Sequence, residues 1–335
     1  MAVESSQIPE KTVEQIFDER YPLDKWKDSN YSILDKFSMR GRKGFVTGAA
    51  GGLGRNAAAA LAQAGADVAL VDLPSQEDKL TELAKDMSER FGTNVIALTC
   101  DVTDTVQVAE LKTQLVEQLG TVDFAFLNAG VNVPGDDQDA TEEVWTRTIN
   151  INLNGTYRTG RIAHEIMREH GHGGSLIFTA SLSGHNANYM MGSPTPVNAY
   201  GATKAAIMEH SRYLAAALAK DGIRSNTISP GYVWSGIFNG RIDMPGHDAM
   251  LEVVPMHRFG TNDEIASTVL FLASQLAGRQ SKIDKIRIVP SLRFWTWRSS
   301  REQRRIWREG TWPILMPVVV SCAVIFPAHT SSAVL

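Results

Sequence analysis

Short apolar segments alternate with helical patterns through most of this chain, and this alternation is the strongest constraint on its fold. The apolar segments are GFVTG, DVALVDL, NVIALTCDV, VDFAFLNAG, SLIFTAS and RSNTISPG. Between them lie helical stretches at 54–65, 76–91, 105–119, 142–170 and 199–220. Strands that alternate with helices form βαβ units, whose parallel sheet is buried on both faces. The sequence therefore predicts an α/β fold in a single domain, built on a doubly wound parallel sheet.

A glycine cluster lies where the first apolar segment passes into the first helical stretch. Gly48, Gly52 and Gly54 belong to it, with Leu53 between the last two. Glycine at such a turn lets backbone N–H groups at a helix N-terminus approach a pyrophosphate. Because a strand precedes the cluster and an alanine-rich helix follows it, the pattern predicts a dinucleotide-binding turn of the Rossmann type.

An acidic residue ends the second strand. Asp72 lies 24 residues after Gly48, where a carboxylate can accept hydrogen bonds from the adenosine ribose hydroxyls and would repel a 2′-phosphate. No Arg or Lys directly follows Asp72, and Gly51 occupies the loop position where a basic residue could bind that phosphate. The sequence therefore favours NAD(H) as cofactor, with NADP(H) as the alternative. A loop-capping role for Asp72 would explain less of the pattern.

Tyr200 and Lys204 lie four residues apart in the helical segment NAYGATKAAIMEH. Side chains at this spacing share one helix face, so the phenol and the ammonium point the same way. A free tyrosine has a pKa near ~10, and proton transfer at neutral pH requires its phenolate to be stabilised by roughly 4 kcal/mol. One positive charge about 4 Å away supplies that amount at an effective dielectric constant of about 20. The pair alone is common by chance, so neighbouring motifs decide its meaning.

Composition and charge narrow the remaining possibilities. The chain has 335 residues, 43% of them hydrophobic, and a net charge of −4, which gives no global reason to expect nucleic acid. Two cysteines and an N-terminus without an apolar signal segment indicate an intracellular, cytoplasmic protein. The segment HEIMREHGH has arginine at position 168, so the H-E-x-x-H spacing fails and no metal site is expected.

Several motifs together resemble the short-chain dehydrogenase/reductase family, in the order in which that family carries them. The glycine turn is TGAAGGLG (47–54), and YGATK supplies Tyr200 and Lys204. The remaining motifs are CDVTD with Asp101, LNAG with Asn128, NINLNG with Asn152, TASLSG with Ser181, and SPGYVWS with Val233 and Ser235. They cover roughly residues 40 to 273. The segment SILDKFSMRGRKGFVTGA further resembles fungal polyol and sorbose-type reductases.

This resemblance implies an NAD(P)-dependent oxidoreductase that interconverts a secondary alcohol and a ketone. In the implied mechanism Ser181 binds the substrate oxygen, Tyr200 transfers the proton, and Lys204 lowers the pKa of Tyr200 and holds the nicotinamide ribose. Asn152 orients a water that relays protons. The resemblance further implies that Asp101 holds the adenine amino group and that Asn128 supports both the sheet and the cofactor. Val233 and Ser235 would lie near the nicotinamide, and Arg161 would be a basic residue on the cofactor side. A solvated helix face is an equal alternative for Arg161.

The resemblance also bears on partners and substrate. Family counterparts of the helices 142–170 and 199–220 form the oligomer interface, which implies a homodimer or homotetramer. The loops HNANYMMGSPTPVN and WSGIFNGRIDMPGHDAM mix aromatic and sulfur-containing residues with polar ones. Such a lining suits a small polyol or ketose, and also a larger cyclic ketone.

The C-terminal part of the chain departs from the family after about residue 275. We therefore divide the chain into an N-terminal arm (1–40), the dinucleotide-binding domain (41–274) and an atypical, basic, Trp-rich tail (275–335). Between 279 and 309 there are ten basic and three acidic residues, a net charge of about +7. An apolar run from 314 to 326 is short of the ~20 residues that span a bilayer.

A retained intron or a shifted reading frame is our leading explanation for this tail, which we expect to be poorly ordered beyond about residue 290. KIRIV (285–289) could still form an edge strand. Two alternatives for the whole chain stay open: a cofactor-binding protein whose activity is low because of its ending, and a protein that associates with nucleic acid or membranes through the tail.

Overall fold

A computed structural model describes residues 27–132, 141–185, 199–235, 251–252, 254–278, 286–288 and 318–322. The backbone alone is described for the last two segments. Most of the two loops expected to line the substrate site and most of the tail lie outside these ranges.

Six parallel strands form the body of one sheet. They are β1 (Lys43–Thr47), β2 (Asp67–Asp72), β3 (Val95–Thr99), β4 (Phe124–Leu127), β5 (Gly174–Thr179) and β6 (Ile223–Ser229). Their order is β3-β2-β1-β4-β5-β6, with every neighbouring pair parallel. Each coincides with one of the apolar segments singled out in the sequence. The order reverses between β1 and β4, which opens a crevice beyond the carboxyl ends of these strands.

Helices cover both faces of the sheet, so the prediction of a doubly wound α/β fold is confirmed. They are α1 (Gly52–Gln63), α2 (Glu77–Phe91), α3 (Thr105–Leu119), α4 (Glu142–Ile149), α5 (Thr156–His170), α6 (Ala199–Leu218) and α7 (Asn262–Ala273). One buried cluster joins α1, α2 and α7 to one face, and a second joins α3, α5 and α6 to the other. Because β-strand side chains alternate between faces, neighbouring residues of one strand enter different clusters: Phe45 packs on one side and Val46 on the other.

The predicted helix 142–170 is interrupted. Between α4 and α5 the segment Asn150–Gly155 forms a π-helix, which widens the helical turn locally. Gly155 lies here because an added Cβ would come 3.0 Å or closer to Val102 side-chain atoms. Such π segments are concentrated at functional sites, and this one contains Asn152.

The C-terminal strands extend the sheet in a way that the sequence did not predict. β7 (Ile286–Ile288) is the edge strand, as considered for KIRIV, and it pairs antiparallel with β8 (Val318–Cys322). β8 in turn pairs antiparallel with β6. The backbone of 318–322 therefore pairs with the sheet, and its consecutive β-branched valines suit a strand. The expectation of poor packing beyond residue 290 stays a prediction, since most of that segment lies outside the described residues.

Met39, at the end of the segment assigned to the N-terminal arm, packs into the core of the domain. Met39 is 1% exposed and donates its N–H to the carbonyl of Ala64, at the end of α1. The domain core therefore begins one or two residues before the predicted start at 41. In the described part of the chain, no helix is both long enough and apolar enough to cross a membrane.

Candidate active site

The glycine turn forms a backbone cradle at the N-terminus of α1. Gly48 has φ +69°, a conformation that favours glycine. A Cβ added at Gly54 would collide with the carbonyl oxygen of Gly48, so the turn closes only with glycine there. Gly51 is the N-cap residue and provides no side-chain hydrogen bond to the first turn. The N–H groups of that turn are therefore available for a phosphate, and these residues fit a dinucleotide.

Asp72 connects the end of β2 to this cradle. One of its carboxylate oxygens accepts a 2.9 Å hydrogen bond from the backbone N–H of Ala50, and the other accepts one of 2.8 Å from Leu73. The carboxylate thus fixes the glycine turn while its negative charge stays beside the predicted ribose position. Asp101, which follows β3, accepts hydrogen bonds from the backbone N–H and the hydroxyl of Thr103 at 2.9 and 2.8 Å.

A hydrogen-bonded series joins the cradle to β4 and β5. The hydroxyl of Thr47 accepts the backbone N–H groups of Asn128 and Ala129 at 3.0 and 3.1 Å. The Asn128 amide donates to the carbonyl of Thr47 at 3.3 Å and accepts from the hydroxyl of Thr179 at 3.1 Å. Asn128 therefore ties together the ends of three strands, and its contact with the cofactor stays a prediction.

The amino group of Lys204 lies inside the protein. The side chain is 3% exposed, and Nζ donates a 2.7 Å hydrogen bond to the carbonyl of Thr179. Burial disfavours the charged form and lowers the pKa of Lys204 from 10.5 to about 8. Thr179 thus contacts Lys204 through its main chain and Asn128 through its side chain.

Tyr200 and Ser181 are hydrogen-bonded to each other through their side chains. Burial raises the pKa of Tyr200, and the hydrogen bond from Ser181 opposes that rise. Nζ of Lys204 lies 5.5 Å from the centre of the Tyr200 ring. Desolvation of the phenol outweighs the hydrogen bond from Ser181, and the lowering of the Tyr200 pKa by Lys204 stays a prediction.

Asn152 is fully buried and its amide is engaged by the main chain. Its oxygen accepts the N–H of Val131 at 2.8 Å, and its nitrogen donates to the carbonyl of Val131 at 2.8 Å. A Cβ added at Gly130 would lie 3.2 Å from the Asn152 amide oxygen and 3.6 Å from Nζ of Lys204. Asn152 and Lys204 therefore flank the same glycine, and the amide fixes the chain beside it.

The remaining predicted positions divide into two groups. Val233 is 6% exposed, and Ser235 lies against Gly52 of the cradle. Arg161 is not brought to this cluster: its guanidinium forms a 3.3 Å ion pair with Glu165 and is more than half exposed. Glu165 also binds Lys112 of α3. Arg161 follows Asn152 by about two and a half helical turns, which places it away from the strand ends.

Sequence reasoning missed the connecting residues of the site. Thr47 and Thr179 are each the last residue of a parallel strand and lie within motifs already quoted, so their position was a usable signal. Val131 and Ala50 act through backbone groups, which no side-chain pattern reveals. In the described ranges, no group of three or more His, Cys, Asp or Glu residues could hold a metal ion.

The geometry defines a nucleotide-binding fold in which buried Ser181 and Lys204 and half-buried Tyr200 form a Ser–Tyr–Lys cluster, linked to the phosphate cradle through Thr179 and Asn128. The profile of one protein family, described as enoyl-(acyl carrier protein) reductase, matches residues 48–280. The sorbose reductase of Schizosaccharomyces pombe is 37% identical over 244 residues, covering 72% of this chain and 92% of that protein. A probable NADP-dependent mannitol dehydrogenase of Yarrowia lipolytica is 35% identical over 246 residues, covering 72% and 84%.

Solved structures agree with these sequence relatives. A short-chain type dehydrogenase/reductase from Mycobacterium marinum superposes with a TM-score of 0.67 at 33% identity, covering 73% of this chain and 93% of that one. The chain belongs to the short-chain dehydrogenase/reductase family. It is an NAD(P)-dependent oxidoreductase that interconverts a secondary alcohol and a ketone.

The lowered pKa of Lys204 predicts a specific pH dependence of stability. Between about pH 8 and 10.5 the unfolded chain keeps the proton that the folded chain has lost, so the free energy of unfolding rises with pH. We expect this group to contribute a rise of about 2 kcal/mol between about pH 7 and pH 9.5, and Lys204→Met to lack it. Urea unfolding of both proteins across this range measures the difference. Parallel pH profiles for the two would contradict the assignment.

Proposed function

We propose that this chain interconverts a ketose and the matching polyol at a secondary carbon, with NAD(H) as cofactor. The observation that carries the proposal is the connected site: Ser181, Tyr200 and Lys204 are hydrogen-bonded or in contact, and Thr179 and Asn128 link them to the glycine turn. A cofactor on the turn and a substrate at the cluster would therefore lie in one continuous cleft.

Each side chain of the cluster has a distinct role in this proposal. The hydroxyl groups of Ser181 and Tyr200 hydrogen-bond to each other. A substrate oxygen placed between them can take over this hydrogen bond and contact both hydroxyl groups. The phenol of Tyr200 gives its proton to that oxygen in reduction and accepts it in oxidation. Lys204 stands beside the phenol as a cation that stabilises the phenolate. The cofactor, when bound, supplies or accepts the hydride.

Asn152 supports the Ser181–Tyr200–Lys204 cluster through its contacts with the main chain. Its amide is paired with both backbone groups of Val131, so we propose that it holds the glycine at 130 close to Lys204. The predicted water relay through Asn152 stays a prediction, because the amide would have to release Val131 to bind water through its side chain.

The substrate class rests on the relatives. The two compared by sequence are named for sorbose and mannitol, a ketose and a polyol. A larger cyclic ketone stays an alternative, because most of the two loops that would select the substrate lies outside the described residues. The homodimer or homotetramer, the contacts of individual residues with the cofactor and the cytoplasmic location also stay predictions. Neither the comparisons nor the described residues support an inactive cofactor-binding protein or a tail-mediated association with nucleic acid or membranes.

Two observations disagree on which nicotinamide cofactor the chain prefers: Asp72 favours NAD(H), and the name of one relative favours NADP(H). The mannitol dehydrogenase is named NADP-dependent, which favours the phosphorylated cofactor. In this chain the residue at the end of β2 is an acid, and Gly51 and Leu73 carry no positive charge. A 2′-phosphate would meet the Asp72 carboxylate without a counter-ion at either position, so we propose that NAD(H) binds more tightly.

Tyr200→Phe tests the proton-transfer role. We expect turnover to fall by at least ~10²-fold, because removal of a general acid or base costs about that much. NADH binding should stay within a few-fold of the unmodified protein. Tyr213→Phe is the matched control, since Tyr213 lies on the same helix and is 71% exposed. If the Tyr200→Phe variant kept more than about a tenth of the original rate, another group would have to transfer the proton.

Cofactor preference is tested by replacing the acid and adding a cation. In the double variant Asp72→Ser with Leu73→Arg we expect the ratio of kcat/KM for NADPH over NADH to rise by at least about tenfold, because the repulsion is removed and a phosphate partner is added. Asp67→Ser removes an acid from the other end of β2 and should leave the ratio unchanged. The proposal for NAD(H) is wrong if the original chain already binds NADPH more tightly than NADH.

A further inference from the structure

Residues 232–235, here called the strap, follow β6 and run across the mouth of the phosphate cradle. The backbone N–H of Trp234 donates to the carbonyl of Gly260 at 3.0 Å, and the N–H of Gly260 donates to the carbonyl of Tyr232 at 2.9 Å. Val233 and Gly260 form a parallel bridge. These contacts tie the strap to the segment that leads into α7.

The segment 258–264, here called the clamp, has its own fixed geometry. The two terminal guanidinium nitrogens of Arg258 donate hydrogen bonds to the carboxylate of Glu264, at 3.0 and 2.6 Å. The same carboxylate accepts the backbone N–H of Thr261 at 2.8 Å, and the Thr261 hydroxyl accepts the N–H of Glu264, which completes a capping box. Arg258 lowers the pKa of Glu264 to about 2, so the carboxylate is ionised and the ion pair is present at neutral pH.

Two further contacts join the clamp to the strap. The ring of Phe259 stacks on Trp234 at 6.0 Å between ring centres and meets Tyr232 edge-on at 6.1 Å. The side-chain amide of Asn262 donates a 3.1 Å hydrogen bond to the carbonyl of Trp234. Backbone, aromatic and amide contacts thus all fix the strap relative to the start of α7.

The far end of the strap touches the cradle directly. The backbone of Ser235 lies so close to Gly52, the first residue of α1, that an added Cβ there would collide with the Ser235 carbonyl oxygen. The N–H groups of this helix turn are those that would bind the cofactor's phosphates. The clamp fixes the position of the strap, and this position determines how closely the Ser235 backbone lies over the phosphate site.

We propose that Arg258, Glu264 and Asn262 are positioning residues for cofactor binding, which they promote by holding the strap over the glycine turn. The inference rests on the proposed binding of a nicotinamide cofactor at that turn. Arg258 and Glu264 are 45% and 48% exposed, and ion pairs this exposed contribute little to global stability. Their bidentate geometry therefore acts on the local position of the strap more than on folding.

Two variants test this proposal with the full-length chain. Asn262→Asp keeps the size of the side chain and places an acid favourably in the first turn of α7, yet it removes the donor to Trp234. Arg258→Gln removes the ion pair. Arg212→Gln is the matched control, because Arg212 forms a 2.6 Å exposed ion pair with Glu209 on α6. NADH dissociation constants come from nicotinamide fluorescence without any carbonyl substrate, and folding is followed by the urea midpoint.

We expect both clamp variants to raise the NADH dissociation constant and the KM for NADH by about fivefold, the effect of one lost hydrogen bond or ion pair. Their kcat at saturating NADH should stay within about twofold and their urea midpoints should be unchanged. Arg212→Gln should match the original chain in every respect. Unchanged NADH binding in both clamp variants would overturn the proposal, as would weaker binding that is matched by a lowered urea midpoint.

The binding measurement separates this proposal from the proposed function. If NADH binds, the clamp variants weaken it and no carbonyl compound is reduced, the proposed function fails while the role of the clamp stands. If ketoses are reduced and the clamp variants bind NADH normally, only the clamp proposal fails.

Discussion

The hydrogen bond between the Lys204 ammonium and the Thr179 carbonyl holds a cation at a buried position that is almost inaccessible to water. A buried amino group requires polar partners in fixed positions. The carboxyl end of a parallel strand provides such a partner, because its last carbonyl projects beyond the sheet. The position of β5 therefore determines where Lys204 can lie, and through the helical spacing it determines where Tyr200 lies.

The same strand end also connects the two halves of the site. Thr179 binds Asn128 through its hydroxyl, and Asn128 binds the backbone of β1 just before the glycine turn. The substrate-binding cluster and the phosphate cradle are consequently built on one set of strand ends. A shift of β5 would move both the cluster and the cradle. Short polar side chains that can bond across neighbouring strands therefore occupy the carboxyl ends of β1, β4 and β5, at Thr47, Asn128 and Thr179.

Most of the fold could be predicted from the sequence, because its apolar segments and helical periods are local patterns. The glycine turn, Asp72, Ser181, Tyr200 and Lys204 could be proposed as site residues for the same reason: each belongs to a short motif with a fixed spacing. The pairing of Asn152 with Val131 could not be predicted, since it joins backbone and side-chain groups across the fold. Nor could the strand at 318–322, whose partner β6 is about 90 residues away and antiparallel to it. For Arg161 the sequence left a cofactor contact and a solvated helix face as equal alternatives, and its exposed ion pair with Glu165 fits the second.

The central claim is that a hydride passes between a nicotinamide and a secondary carbon at this cluster. In the most direct measurement, the 335-residue protein is incubated with NADH deuterated at C4 and a ketose such as sorbose. The polyol is then examined by mass spectrometry and NMR. We expect one deuterium on the newly formed carbinol carbon and matching loss of the label from the cofactor. Polyol without deuterium, with each C4 stereoisomer of the labelled cofactor tested in turn, would contradict the claim, as would the absence of reduction across ketoses and cyclic ketones.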